Sequence, residues 1–200
     1  MAGLCDHGSM PPNDDPYVYP GTDVLKNKAD LRDANDLKAY ERFASADALL
    51  TLPDDILITP DGYRAIHRHL FQDVYDWAGE DRTVDMAKGH SPFCRARYIA
   101  PQLEQWFEKI TAELDGWKDL PDAAFAARVA EHICELNAIH PFREGNGRTL
   151  RAWLGLVGAR TGHAINLAQL SATEWHQASI DGFNGDNDPM SRVIAAAIRR

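Results

Sequence analysis

Residues 139–151 read IHPFREGNGRTLR. Two helices meet in this stretch. Upstream, Phe125, Val129, Ile133 and Leu136 step by four, four and three along one face, and His140 falls four further on. Pro141 disfavours helical backbone at the residue before it, so the first helix stops at His140. Gly145 and Gly147 then let the backbone turn, with Asn146 between them as a candidate N-cap. Leu150, Trp153, Leu154 and Val157 start a second apolar face. The motif is therefore a helix–turn–helix connection, and the polar residues within it need a separate explanation.

The chain on either side has the same character. Apolar periodicity predicts helices at about 30–50, from Thr59 to Gly79, and at about 101–115, 121–139, 146–160, 171–182 and 187–199. Thr59 or Asp61 can cap the second of these, whose stripe is Ile66, Leu70, Val74 and Trp77. Between them, Thr83–Met86 and Phe93–Ile99 alternate around a Lys88-Gly89-His90-Ser91 turn, which predicts a short β-hairpin lying on the helical body. The expected fold is thus all-α with a hairpin flap, formed by a single domain over 14–200. Residues 1–13 are expected to be a disordered lead, with HGSM as a tag remnant, and 11–23 open the chain with turn-rich PPNDDPYVYPGTD.

Composition limits the partners. With 21 basic and 30 acidic residues the net charge is −9, which argues against nucleic acid or an anionic membrane surface. No apolar run reaches the length of a membrane span, and the first residues lack the pattern of a signal peptide. Three cysteines without framework or metal-ligand spacing suit the reducing cytoplasm.

A histidine at a helix end can have one ring nitrogen oriented by a backbone carbonyl, leaving the other free to accept a proton. Taken alone, His140 is better explained as a satisfied core residue. The backbone of Gly145, Asn146 and Gly147 opens a helix whose free N–H groups make an anion site. Arg148 and Arg151 share one side of that helix's first turns, where positive charge opposes the helix dipole. That cost is understandable if they hold a polyphosphate. Glu144 would repel such a ligand unless Mg²⁺ lay between them. Together these residues predict a phosphate-transfer site.

His140-Pro141-Phe142-Arg143-Glu144-Gly145-Asn146-Gly147-Arg148-Thr149-Leu150-Arg151 resembles the Fic family motif HPFx(D/E)GNGRxxR at every constrained position. His67–Phe71 and Tyr75–Arg82 are similar to the family's upstream helix and flap entry, and DPYVYPG resembles the lead-in of small bacterial Fic toxins. The resemblance implies transfer of AMP from ATP to a Ser, Thr or Tyr hydroxyl of a target protein. His140 would be the base and Glu144 the Mg²⁺ ligand. Gly145, Asn146 and Gly147 would steady the α-phosphate side, with Arg148 at the β-phosphate, Arg151 at the γ-phosphate and Phe142 a core anchor. Lys88 at the flap tip would dock the target, and Phe183 and Asn184 are candidates for the adenine pocket. Many Fic proteins carry an inhibitory (S/T)xxxE(G/N) helix. Here Glu precedes Gly or Asn only at Glu144, with His140 four residues before it, so the motif does not occur in this chain. The resemblance then implies the toxin of a toxin–antitoxin pair, whose small antitoxin would place a glutamate on Arg151, with DNA gyrase and topoisomerase IV as the leading targets. Three alternatives stay open: another nucleotide donor, a Fic domain cut from a secreted effector, and an idle Fic-fold binding module.

Overall fold

The computed structural model describes residues 15–88 and 91–199, so the expected lead at 1–13 and the Gly89-His90 turn lie outside the described residues. Seven helices and one hairpin make up the described chain. They are α1 (Ala34–Leu50), α2 (Pro60–Phe71), α3 (Ile99–Leu114), α4 (Asp122–Ile139), α5 (Asn146–Thr161), α6 (Ala172–Phe183) and α7 (Asp188–Ala197). The hairpin pairs β1 (Ala87–Lys88) with β2 (Ser91–Pro92), antiparallel, with Ala87 opposite Pro92 and Lys88 opposite Ser91. The fold is mainly helical with a small hairpin, as the periodicity requires. Among the described residues no helix is long and apolar enough to cross a membrane.

Helix starts follow local chemistry. The Asp33 side chain accepts from the N–H groups of Asn35 and Asp36 to cap α1. Thr59 accepts from Gly62 N–H to cap α2, with Pro60 following, and Ser171 caps α6 through Glu174 N–H. At the centre stands α4, packed against α3, α5, α6 and α7. The four residues of its predicted stripe, Phe125, Val129, Ile133 and Leu136, are each 0% exposed. Burial of this kind is worth about 1.5–3 kcal/mol per side chain, so the stripe alone secures the helix that carries His140. On α5, Leu150, Trp153, Leu154 and Val157 are likewise fully buried.

Three expectations need correction. The second helix stops at Phe71 rather than Gly79. The chain turns back there, so that Gly79, at φ +85°, donates its N–H to His67 Nδ1 at 2.8 Å. Val74 and Tyr75 remain buried in the turn, so the apolar pattern persists without the helix. Neither Thr83–Met86 nor Phe93–Ile99 is a strand: the ladder lies at Ala87–Lys88 and Ser91–Pro92, overlapping the expected turn. After Phe93 the chain leaves the ladder: Cys94 N–H donates to Ala138 O and Ala96 N–H to the Asp85 carboxylate. Residues Ala96–Tyr98 then form a 3₁₀ turn leading into α3. Third, Asn146 does not cap α5. Gly145, in left-handed backbone, holds that position.

Candidate active site

His140 lies at the C-terminal end of α4 with φ 51° and ψ 60°, a left-handed conformation that costs a side-chain-bearing residue about 1–2 kcal/mol. Its Nδ1 is 3.1 Å from the Asn137 carbonyl. A carbonyl oxygen can only accept, so Nδ1 carries the proton and Nε2 carries the lone pair. Nε2 makes no hydrogen bond among the described residues, and the ring borders a cleft of about 580 Å³. The Phe93 ring stacks on the imidazole at 3.8 Å. Burial, aided by the Arg82 and Lys88 charges, lowers the pKa to about 4 against the pull of the Asn137 bond and Glu144. The imidazole is therefore neutral at physiological pH.

The turn after His140 is held from several sides. Phe142 is fully buried and stacks on His67 at 3.8 Å. His67 accepts from Gly79 N–H at Nδ1, so its Nε2–H donates to the Glu144 carbonyl at 3.0 Å. The Asn146 side chain closes the loop by accepting from Phe142 N–H at 3.0 Å and donating to Phe142 O at 2.7 Å. Gly145 sits at φ +84°, where a Cβ would lie 2.5 Å from the Phe71 ring. Gly147 differs: its backbone is helical, and a Cβ there would meet nothing within 4 Å. The fold thus demands glycine at 145 but not at 147, which borders the cleft.

The cleft brings together His140, Glu144, Gly145, Asn146, Gly147, Arg151 and Lys88. Phe183 and Asn184 line it as well, beside Trp175 and Ile180. Arg151 is partly buried, with Nε donating to Gly147 O at 3.3 Å. Burial first, then the charge of Arg148, hold its pKa below the usual arginine value. Arg148 does not line this cleft. Its guanidinium pairs with Glu41 of α1, donates to Ser45 at 3.2 Å and packs 4.7 Å over the Phe71 ring. Glu41 is buried, which raises its pKa against the opposing pull of Arg148. Glu144 borders both this cleft and a second one beside α1. One of its oxygens accepts from Gly145 N–H at 2.8 Å and lies 3.4 Å from Arg148. Lys88 contacts His176 of α6 across the cleft.

Sequence reasoning missed Arg82, Phe93, Glu41 and Asp15. Arg82 donates to four backbone carbonyls around His140 and the hairpin. Asp15 pairs with Arg143 at 2.8 Å, pinning the start of the described chain to the motif loop. Apart from the Arg82 bond to Val84 O, these contacts join residues at least 12 apart in sequence, and no local pattern announces them.

The Fic/DOC family profile matches residues 57–157. The probable protein adenylyltransferase y4lH of Sinorhizobium fredii is 39% identical over 188 residues, covering 94% of this chain and 95% of its own length. The probable protein adenylyltransferase Fic of Escherichia coli is 33% identical over 187 residues, covering 92% of each. The crystal structure of BepC, a VirB-translocated effector of Bartonella tribocorum with bound AMPPNP, superposes with a TM-score of 0.85 at 25% identity, covering 92% of this chain and 96% of that one. With the profile spanning the hairpin, α4 and most of α5, and relatives aligned along nearly their whole lengths, this chain belongs to the Fic/DOC family.

Proposed function

We propose that this Fic protein is a protein adenylyltransferase that uses the cleft beside His140 to move AMP from ATP onto a Ser, Thr or Tyr hydroxyl of a target protein. The observation that carries the reading is the contact of His140 Nδ1 with the Asn137 carbonyl, which leaves Nε2 to accept a proton. Its unbonded Nε2 borders a cleft that the glycine-opened N-terminus of α5 also borders. Nε2 takes the hydroxyl proton, and the oxygen attacks the α-phosphorus. The bond to the leaving oxygen breaks, and pyrophosphate departs. The free N–H groups at the start of α5 hold phosphate oxygens, and Arg151 holds the distal phosphate. Arg148 reaches the β-phosphate by exchanging Glu41 for it. Lys88 meets the target at the hairpin.

Among the described residues no cluster of three or more His, Cys, Asp or Glu could hold a metal. A single carboxylate, Glu144, borders the cleft, and this fits Mg²⁺, which takes few protein ligands and fills its shell with phosphates and waters. When bound, Mg²⁺ supplies charge neutralisation between Glu144 and the phosphates. The sequence lacks the inhibitory (S/T)xxxE(G/N) pattern, which supports a toxin restrained by a separate antitoxin whose glutamate engages Arg151. DNA gyrase and topoisomerase IV are the targets to try first. The test is incubation with bacterial lysate and ATP labelled on the α- or the γ-phosphate. Label from α alone, lost in His140→Ala, is expected, and mass spectrometry then names the target. Label from γ alone would overturn AMP transfer.

A further inference from the structure

We propose that Arg82 is a positioning residue for AMP transfer: its guanidinium locks the backbone of His140 to the root of the hairpin, so that the base and the segment meeting the target share one frame. This rests on the function proposed above. Arg82 is 2% exposed, yet no carboxylate pairs with it among the described residues. Its donors go to carbonyls instead. Nε donates to His140 O at 2.8 Å, Nη1 to Val84 O at 2.6 Å, and Nη2 to Cys94 O and, at 3.4 Å, to Ile139 O. Its own N–H donates to Pro141 O at 2.8 Å. Val84 leads into β1 and Cys94 leaves β2, so one planar group ties both legs of the hairpin to the last carbonyls of α4.

The site gives this tie a purpose beyond packing. His140 is held in left-handed backbone, and its carbonyl is anchored by Arg82. Without that anchor the residue can relax, which swings the ring away from Asn137 O and from the Phe93 face. A buried guanidinium also completes the negative end of the α4 dipole with a delocalised positive charge. Lysine can supply the charge but not four bonds in a plane.

The test compares wild type, Arg82→Lys and Arg82→Gln. The first readout is the ¹⁵N spectrum of histidine-labelled protein near neutral pH, which needs neither nucleotide nor target. Wild type is expected to show His140 as a single Nδ1–H tautomer, and both variants a tautomer mixture. The second is AMP transfer from α-labelled ATP to lysate protein. The apparent turnover per folded molecule should fall about tenfold or more in Arg82→Lys and further in Arg82→Gln, with the apparent KM for ATP within about threefold of wild type. A purely structural arginine would lower the melting temperature and leave the tautomer and turnover of the folded protein unchanged, and that result overturns the proposal. If neither variant folds, hydrogen exchange on wild type decides: an Arg82 Nε–H that exchanges as fast as an exposed arginine refutes the lock. Should wild type fail to transfer label, the functional reading falls, while the tautomer comparison still judges Arg82.

Discussion

Replacing Gly147 with alanine separates what the fold needs from what the site needs. The backbone at 147 is helical and a Cβ there meets no atom within 4 Å, so the substitution adds neither strain nor a clash. Exchanging glycine for alanine inside a helix normally gains about 0.5–1 kcal/mol, because the unfolded chain loses freedom. For a chain of this size that corresponds to a melting temperature about 1–4 °C higher. The new methyl stands in the cleft at the start of α5, where the proposed phosphates approach the backbone N–H groups. Those groups need contacts near 3 Å, and a displacement of about 1 Å is worth roughly a hundredfold in rate. The variant should therefore melt higher and transfer at least about tenfold less AMP. Calorimetry and α-labelled ATP measure the two quantities on one preparation. Undiminished transfer would refute the phosphate cradle, and a lower melting temperature would refute the account of Gly147 as dispensable to the fold.

Gly145→Ala should behave oppositely, losing about 2–4 kcal/mol through left-handed strain and collision with Phe71, as seen by urea unfolding. Acid should also weaken the fold in a defined window. Burial lowers the folded pKa of His140 to about 4 and of His67 to about 3, against an ordinary value near 6.5, so the unfolded chain binds more protons below that value. Stability is fully present above pH 6.5 and is lost as pH falls towards 3–4. Urea midpoints across that range should drop less steeply in His140→Gln than in wild type, and parallel slopes would contradict the assignment.

The helical body was legible because its signal is local. The stripe of α4, the Pro141 stop and the glycine-led start of α5 are each readable within a few residues, and each determines backbone on its own. The resemblance at 140–151 likewise depends on consecutive residues. Failures came where distant groups compete for the chain. Phe93–Ile99 alternates like a strand, but Asp85 and Ala138 capture its N–H groups. Val74 and Trp77 continue a helical stripe, yet the bond from Gly79 to His67 bends the backbone away. Arg148 was expected among the phosphates beside Arg151, and Glu41, 107 residues earlier, draws it to α1. Patterns of apolar residues carry no information about which buried charge will find which partner.

The left-handed backbone at His140 has a consequence for descendants of this fold that abandon chemistry. The histidine there sits against a conformational preference that asparagine meets more easily and glycine freely. Where the proposed base is no longer needed, the substitutions that relieve strain are therefore those two. A relative that has drifted into a binding role should carry asparagine or glycine at this position more often than alanine or glutamine, and should be the more stable protein for it.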